Sequence, residues 1–415
     1  MSTTFKPENA DQVLEAVAWA AGEETPLEVI GRGSKRGLGR PVQAGHGIDL
    51  SAYGGITLYE PEELVLSARA GTAMAEIEVA LGEKHQMLAF EPADLGPLLG
   101  GAGGASSIGG VLACNLAGPR RIKAGAARDH FLGVHAVSGR GEAFKSGGRV
   151  VKNVTGYDMC KLLAGSHGTL AVLSDVTVKV LPAPEKTRTV LLLGLDDAAA
   201  VGAMTRAMGS AHEVSGAAHV PAALAAGSVV SYVAGAGGAV TAIRVEGPGP
   251  SVEYRAAMLR EDLADLGKSE ELHSANSAAF WREVRDVAPL HADARAGRAV
   301  WRVSVPPATG ADTVRAMALG PEAHYYFDWA GGLIWLAWPA QGGAAGSTDG
   351  GAAAVRGALA ARGGHATLVS APEEMRATVP VFQPQDQANA ALTQRIKDSF
   401  DPRRVLNPGR MYAGV

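Results

Sequence analysis

A short apolar strand, predicted for Leu27–Gly31, runs directly into a polar glycine-rich loop at Gly31–Gly39 (GRGSKRGLG), and this pairing constrains the fold most. Glycines after a strand let backbone N–H groups turn toward a bound phosphate. Arg32, Lys35 and Arg36 would neutralise the phosphate charge. Taken alone, the loop is either a pyrophosphate cradle or a solvated basic turn, and the sequence leaves both interpretations open.

The loop matches neither of two common nucleotide-binding motifs. Arg36 stands where a G-x-G-x-x-G dinucleotide fingerprint needs its third glycine, and that motif occurs nowhere in the chain. The only GKS sequence, at Gly267–Ser269, has Asp262 where a P-loop needs its first glycine. Kinase and nicotinamide-dependent dehydrogenase functions are therefore disfavoured.

Composition restricts the class of protein further. The 415 residues are 47% hydrophobic, which suits two or more domains. A formal charge of −4 and a pI near 6.3 provide no basic field for nucleic acid or an anionic membrane. Cys114 and Cys160 lie far apart and are the only cysteines, which excludes a four-thiolate zinc site and a self-contained iron–sulfur cluster. We predict no metal site and, without a secretion signal, a cytoplasmic location.

Two long uncharged stretches, Leu95–Pro119 and Val214–Ile243, exceed the roughly 20 residues that span a bilayer. Glycines and polar residues interrupt both, and Pro221 also breaks the second, so neither matches a continuously apolar helix. We therefore expect membrane association only through partner proteins.

Periodicity predicts an α+β chain in three parts. Residues 1–182 form a first domain that begins with a helix capped by Asn9 and Gln12 and ended by Gly22. Residues 183–382 alternate strands and helices as a cap-like second domain, and residues 383–415 form a helix and a tail. Further predictions are strands at Ile48–Leu50, Ile56–Glu60, Leu64–Ala68, Thr169–Leu173 and Val176–Leu181, a helix from Thr72 to Lys84, and a C-terminal helix at Asp386–Phe400 with Ala391, Ile396 and Phe400 on its apolar face.

Two more glycine-rich elements follow the first loop. Ser106–Arg121 (SSIGGVLACNLAGPRR) contains Gly109 and Gly110 among small residues that would let a flat ligand lie against backbone. A tightly packed helix start is the alternative, although it would not require Asn115. The other element, Val150–Leu173, has glycine turns on both sides of a short helix and alone would be an ordinary connection.

In this order and at these spacings, the three elements closely resemble the FAD-binding domain of the p-cresol methylhydroxylase/vanillyl-alcohol oxidase flavoproteins. The resemblance covers Val29–Leu181 and is supported by Asp401–Gly409. It implies an FAD-binding domain of two α+β subdomains, a cap domain, and a C-terminal tail that packs on the FAD domain. The residues that it implies for FAD binding are Gly31, Arg32, Gly33, Ser34, Lys35, Arg36, Gly37, Pro92, Ile108, Gly109, Gly110, Ala113, Asn115, Gly118, Lys152, Gly156, Tyr157, Gly165, Ser166, Gly168, Val172, Asn407 and Arg410.

The sequence departs from this family at informative places. Ser34 lies where members with covalent flavin often carry histidine, so we expect non-covalent FAD. His167 replaces the acid of the family's G-S-E-G element, and Ala171 replaces a glycine. Relatives that oxidise 2-hydroxy acids carry a G-E-H-G element in the cap, whereas Gly363–Leu368 (GGHATL) keeps only its histidine.

Finer motifs are similar to the FAD-binding subunit of bacterial glycolate oxidase along nearly the whole chain. These include LAGPRR, VKNVTGYD, FWREVR, WRVSVP, DWAGGLIWL and NPGRMYA. The resemblance implies a complex with a larger FAD-binding subunit and an iron–sulfur subunit, in which glycolate is oxidised to glyoxylate. Electrons would leave this chain through a partner's metal centres or a diffusible acceptor, since two distant cysteines cannot hold a cluster.

The catalytic hypothesis assigns His365 as the base for the substrate hydroxyl, with Arg285, Arg302 or Arg410 as the fork for its carboxylate. Each arginine could instead be a stacked surface or interface residue. A flavin subunit that only relays electrons or stabilises the complex is the rival hypothesis, and the incomplete G-E-H-G element favours it. Trp281 and Trp301, with their arginine neighbours, are predicted either to dock a partner or to lie in the cap core.

Overall fold

The computed structural model describes residues 3–150, 156–338 and 349–415, which fold as two compact units. The first unit comprises Met1–Ala117, Gly125–Ala183 and Pro380–Val415. The second comprises Gly118–Ala124 and Pro184–Val379. Helices and strands are mixed in both, which confirms the α+β class.

Three sheets form the first unit within the described ranges. A parallel sheet has the order β1-β3-β2, an antiparallel sheet has the order β4-β5-β9-β7-β8, and β6 pairs with β10. The strands are β1 (Thr3–Phe5), β2 (Leu27–Ile30), β3 (His46–Asp49), β4 (Ile56–Glu60), β5 (Val65–Arg69), β6 (Gln86–Met87), β7 (Phe131–Ser138), β8 (Ala143–Gly147), β9 (Ala171–Lys179) and β10 (Leu181–Pro182).

Helices numbered along the whole chain cover these sheets. In the first unit they are α1 (Ala10–Gly22), α2 (Met74–Gly82), α3 (Ile108–Ala113), α5 (Ala127–His130), α6 (Met159–Leu163) and α16 (Gln387–Phe400), with 3₁₀ turns at Leu50–Ala52 and Pro97–Leu99.

The N-terminal helix α1 confirms its predicted start and end. The Asn9 side chain accepts a hydrogen bond from the Gln12 amide at 2.9 Å, and the Gln12 side chain accepts one from the Glu8 amide at 2.7 Å. Helix α2 buries Met74, Ile77 and Leu81, as its periodicity predicts.

The predicted pair of separate strands at Thr169–Leu173 and Val176–Leu181 is wrong, because Ala171–Lys179 is one continuous strand, β9, and Leu181 begins β10. Two polar residues at the centre of β9 have side-chain hydrogen-bond partners. Ser174 Oγ donates to the His135 carbonyl at 3.0 Å, and the Asp175 carboxylate accepts from Tyr53 Oη at 3.0 Å. These bonds let polar residues continue a buried strand.

The C-terminal helix α16 is capped by Asp386, but its apolar face differs from the prediction: Ala391 is exposed, while Lys397 is fully buried. Lys397 Nζ donates to Asp401 at 2.7 Å, to the Thr169 carbonyl at 2.7 Å and to the Leu406 carbonyl at 3.0 Å. All three ammonium hydrogens therefore have acceptors, which anchors the tail in the first unit.

The second unit is built on one eight-stranded antiparallel sheet with the order β14-β11-β13-β12-β16-β17-β15-β18. The strands are β11 (Lys186–Leu193), β12 (Gly216–Val220), β13 (Val240–Gly247), β14 (Ser269–Leu272), β15 (Ala299–Ser304), β16 (His324–Asp328), β17 (Leu333–Trp338) and β18 (His365–Ser370).

The helices of the second unit are α4 (Arg121–Ala124), α7 (Asp197–Met208), α8 (Ala222–Ala225), α9 (Ser231–Ala234), α10 (Gly249–Asp262), α11 (Ser274–Arg285), α12 (His291–Arg295), α13 (Gly310–Ala316), α14 (Ala352–Ala360) and α15 (Glu373–Thr378). Its 3₁₀ turns lie at Ala264–Leu266, Ala288–Leu290, Pro307–Thr309 and Trp329–Gly331.

Trp281 and Trp301, the two tryptophans singled out in the sequence, lie in the core of this unit. Trp281 is 3% exposed and donates from Nε1 to Thr189 Oγ1, and Trp301 is fully buried and donates to the Gly350 carbonyl. The core alternative is therefore confirmed for these two side chains, and neither indole is available as a docking surface.

Candidate functional site

An open cleft of about 660 Å³ lies in the first unit where strand β2, helix α3, strand β9 and the C-terminal tail converge. Its lining is glycine-rich, partly apolar and cationic. The lining residues are Val29, Ile30, Gly31, Arg32, Gly33, Ser34, Lys35, Arg36, Leu50, Ala70, Ser107, Gly109, Gly110, Ala113, Cys114, His167, Gly168, Ala171, Leu173 and Arg410.

Glycine is required at two places on this lining. A Cβ on Gly31 would lie 2.3 Å from Ser107 Oγ, and one on Gly109 would lie 2.7 Å from Ala70 Cβ. Gly33 has a φ of +82°, a conformation that L side chains rarely adopt. Glycine at positions 31 and 109 therefore lets the loop and helix α3 pack closely against Ser107 and Ala70, which line the same cleft.

Lys35, which is 8% exposed, is a buried cation of the cleft. Its Nζ donates to Ser34 Oγ at 3.0 Å and to Ser106 Oγ at 3.1 Å, and burial lowers its pKa. Neutral hydroxyls leave its charge available to an anion. Arg36 differs, since Nε and Nη2 donate to both Glu28 carboxylate oxygens at 2.9 and 2.5 Å.

The C-terminal tail completes one side of the cleft. Arg410 is 7% exposed, and its Nη2 donates to the Lys35 carbonyl at 2.8 Å. Asn407 accepts from the Val29 amide and donates to the His167 carbonyl, both at 2.8 Å. Asn407 therefore ties strand β2 to the turn before β9 and acts on the cleft through its walls.

His167 and Cys114 line the cleft beside each other, with 3.6 Å between Nδ1 and Sγ. Burial, and then the charge of Arg410, lower the pKa of His167 to about 3, so the imidazole is neutral. Burial raises the pKa of the Cys114 thiol, which disfavours a reactive thiolate. Cys114 was missed in the sequence because the family motif marks only its neighbours Ala113 and Asn115.

The predicted cofactor residues divide into two groups. The cleft brings together Gly31–Arg36, Gly109, Gly110, Ala113, Gly168 and Arg410. Away from its lining are Gly37, Pro92, Ile108, Asn115, Gly118, Gly156, Tyr157, Gly165, Ser166, Val172 and Asn407, and Lys152 is outside the described residues.

Several residues of the second group have other partners. Ile108 and Val172 belong to the hydrophobic core. The Asn115 side chain accepts from the Arg128 amide at 2.9 Å. Tyr157 is 92% exposed, and Gly118 belongs to the second unit. Direct FAD contact by these residues stays a prediction.

A second, cationic cluster lies wholly within the second unit. The guanidinium carbons of Arg121 and Arg302 lie over the Trp329 indole, 4.3 and 5.0 Å from its ring centre. Within the part of the chain that the structure describes, neither guanidinium has a hydrogen bond or an ion pair. Arg121 is exposed, so an anion can reach the pair from solvent.

His365 belongs to the same cluster. Strands β15 and β18 pair Arg302 with Thr367 and Ser304 with His365, so Arg302 and His365 project from one face of the sheet. Surrounding protein, and then the charges of Arg302 and Arg121, lower the pKa of His365. Burial and the nearby Arg121 charge lower the pKa of Arg302 to about 10, which leaves it protonated at neutral pH.

Of the other predicted fork residues, Arg285 is held by Asp286 through two hydrogen bonds of 2.8 Å, and Arg410 lines the first-unit cleft. Arg285 therefore offers a neutralised guanidinium. Arg121 was not considered as a fork, and the only local signal for it was the arginine pair in LAGPRR.

Within residues 3–150, 156–338 and 349–415, no helix is both long and apolar enough to cross a membrane. No group of three or more His, Cys, Asp or Glu side chains there could hold a metal ion.

Comparison with known proteins places this geometry in context. Residues 2–147 match the family model described as FAD binding domain. The chain is 32% identical over 403 residues to the glycolate oxidase subunit GlcE of Escherichia coli (strain K12), which covers 97% of both chains. It is 27% identical over 188 residues to the glycolate oxidase subunit GlcD of Bacillus subtilis (strain 168), which covers 45% of this chain and 38% of that protein.

Among solved structures, p-cresol methylhydroxylase with substrate bound has a TM-score of 0.70 and 14% sequence identity. The match covers 98% of this chain and 88% of that chain. At this identity the likeness concerns the fold, and it confirms the fold that the glycine motifs predict.

The chain carries an FAD-binding domain, and its first-unit cleft fits this cofactor. Lys35 and Arg410 place cations in a cleft whose described lining contains no acidic residue. Val29, Leu50 and Leu173 add apolar surface for a flat ring.

Lys35→Met should lower FAD affinity, because it removes the buried ammonium and with it the charge-assisted hydrogen bonds that we expect this group to donate to the FAD pyrophosphate. Such bonds contribute roughly 1.5–3 kcal/mol, so we expect a loss of about tenfold to a few hundredfold. Arg36→Met is the matched control and should leave affinity within about threefold, since Glu28 already neutralises Arg36. FAD titration of the apoproteins, followed by flavin fluorescence, measures both. Equal losses in the two variants would contradict the assignment.

Proposed function

Because the chain belongs to the family of the glycolate oxidase subunit GlcE, an FAD-dependent 2-hydroxy-acid oxidoreductase, we propose that it oxidises glycolate to glyoxylate within a glycolate oxidase complex. One observation carries the substrate assignment. Two guanidinium groups without ionic partners lie over Trp329, and the neutral base His365 projects from the same sheet face as one of them. The two guanidinium groups suit the carboxylate of a 2-hydroxy acid, and His365 suits its hydroxyl.

The arginines bind the carboxylate in this proposal. Arg121 and Arg302 repel each other while the site is empty, and a carboxylate between them would relieve that repulsion and accept charge-assisted hydrogen bonds. The indole beneath them favours cations without neutralising them. The cluster therefore selects small anions over neutral alcohols.

His365 takes the proton of the substrate hydroxyl. Its lowered pKa keeps the imidazole neutral at physiological pH, which is the state that a proton acceptor needs. Proton loss from the hydroxyl then assists departure of hydride from the carbon that bears it. FAD, when bound in its domain, supplies the two-electron acceptor for this oxidation.

The rival proposal is a flavin subunit that relays electrons or stabilises the complex without meeting substrate. The backbone at Gly364 favours it, because a Cβ there would lie 2.2 Å from the Ser304 carbonyl oxygen. The acid that 2-hydroxy-acid-oxidising relatives carry before their histidine cannot occupy this position. His365 must therefore act without an adjacent acid in the chain, or not act at all.

Anaerobic addition of glycolate to the isolated, FAD-loaded chain separates the two proposals. Bleaching of the flavin spectrum supports substrate chemistry, and an unchanged spectrum supports relay.

Arg302→Met should raise the glycolate concentration for half-maximal bleaching by about tenfold to a few hundredfold, from the loss of charge-assisted bonds. Arg315→Met, which removes an exposed cation of the same unit, is the control and should change nothing measurable.

If His365 is the base, its pKa should determine how kcat/KM decreases on the acid side of the pH profile. Reduction requires the neutral imidazole, so kcat/KM should fall as the pH drops through the His365 pKa, which lies below its ordinary value of 6.5. His365→Gln should lower the rate and remove this limb. An acid limb centred above pH 6.5, or one that persists unchanged in the variant, would argue against His365 as the base.

We further propose partners: a larger FAD-binding subunit and an iron–sulfur subunit, with any membrane association made through the complex from the cytoplasmic side. GlcE and GlcD are subunits by name, which supports a multi-subunit assembly. With only Cys114 and Cys160, this chain needs an external one-electron acceptor.

Co-expression with a GlcD-type flavin subunit and an iron–sulfur subunit should give one complex in size-exclusion chromatography. Glycolate-dependent reduction of an artificial dye should fall when this chain is omitted. Full activity without the chain, together with separate elution, would defeat the partner proposal.

A further inference from the structure

Gly118–Ala124 forms a short segment of the second unit, and it carries one of the two guanidinium groups on Trp329. Three contacts fasten it there. Trp329 Nε1 donates to the Gly118 carbonyl at 3.0 Å, Arg120 binds Glu246, and Lys123 lies 3.8 Å from Glu213. These contacts differ greatly in burial, which indicates which of them controls the position of the segment.

The contact between Arg120 and Glu246 is the strongest of the three. Arg120 Nε and Nη2 donate to the two carboxylate oxygens at 3.0 and 2.7 Å, and the side chains are 11% and 9% exposed. Arg244 approaches the same carboxylate, with 3.6 Å between Nε and Oε2. Burial acts to raise the pKa of Glu246, but the charge of Arg244 and then the Arg120 hydrogen bonds outweigh it and lower this pKa to about 2, so Glu246 is ionised at neutral pH.

Arg121 follows Arg120 directly, and its position needs support. Its guanidinium is exposed and lies near the like charge of Arg302, so repulsion and side-chain entropy both favour its departure into solvent. A stacking contact over an indole is weak at exposed sites. A fixed backbone at residue 120 restricts how far Arg121 can move.

The hairpin that carries Trp329 is itself held in an uncommon conformation. Trp329 and Ala330 have φ values of +50° and +56°, in the left-handed region that favours glycine. Asp328 accepts a hydrogen bond from the Trp329 amide at 2.7 Å. Both sides of the Arg121–Trp329 contact are thus fixed by neighbours.

We propose that Arg120 and Glu246 are positioning residues for the substrate carboxylate: their buried fork holds Arg121 over Trp329 and beside Arg302. Neither side chain touches the anion. The inference rests on the proposed function, because it takes the guanidinium pair as the carboxylate site. It goes further by assigning carboxylate affinity to an ion pair outside that site.

The test measures oxalate, a non-oxidisable carboxylate, by isothermal titration calorimetry on the FAD-loaded chain. Arg121→Met should weaken oxalate binding about tenfold or more through the loss of a charge-assisted bond. Arg120→Gln should weaken it about fivefold to tenfold, since a misplaced Arg121 keeps part of its attraction. Glu246 retains Arg244 in this variant, and FAD content should be unchanged.

A double-mutant cycle separates positioning from general damage. If Arg120 acts through Arg121, Arg120→Gln with Arg121→Met should bind oxalate no more weakly than Arg121→Met alone. Lys123→Gln is the matched control in the same segment, because its contact with Glu213 is long and exposed, and it should change affinity less than twofold. Arg120→Lys, which keeps the charge but loses the fork, should give an intermediate loss and serves if Arg120→Gln does not fold.

Additive effects in the cycle, or unchanged affinity in both Arg120→Gln and Arg120→Lys, would overturn the positioning role. Unchanged affinity in Arg121→Met would overturn it as well, because the anion would then bind elsewhere. Failure of the proposed function is seen separately, as the absence of flavin bleaching by glycolate in a chain that still binds oxalate through this cluster.

Discussion

Two guanidinium groups of like charge lie over the Trp329 indole, and keeping them together without an anion is the constraint on which the second unit's site depends. An indole stabilises cations but does not cancel their charge. Asp328 contributes a nearby negative charge that raises the pKa of Arg302, yet burial and Arg121 outweigh it. In the proposed carboxylate site, the charges of Arg121 and Arg302 remain available to a ligand, while the ion pair with Glu246 is made by the neighbouring Arg120.

The first unit also contains a buried cation whose hydrogen-bond partners are not carboxylates. This cation, Lys35, donates to the neutral hydroxyls of Ser34 and Ser106, and burial lowers its pKa while the nearby Asp94 acts to raise it. Arg36 on the same loop is bound to Glu28. In both units, a cation hydrogen-bonded to a carboxylate thus lies close in sequence to one that is not, and these hydrogen-bond partners cannot be inferred from sequence composition.

The sequence predicted what depends on local pattern and missed what depends on distant partners. The Asn9 cap and the glycine loop at Gly31 are local features, since turn chemistry and periodicity determine them. The burial of Lys397 was not predictable, because its acceptors come from two other segments of the chain. The position of Arg121 in this cluster was not predictable for the same reason. Its significance appears only when Trp329, far along the chain, folds against it.

A crystal structure of the FAD-loaded chain with oxalate bound would test directly whether Arg121 and Arg302 form the carboxylate site. We expect one carboxylate to accept hydrogen bonds from both guanidinium groups at about 2.7–2.9 Å, with His365 facing the adjacent oxygen. Oxalate bound elsewhere, with both guanidinium groups still lying against Trp329 and free of the anion, would contradict this assignment.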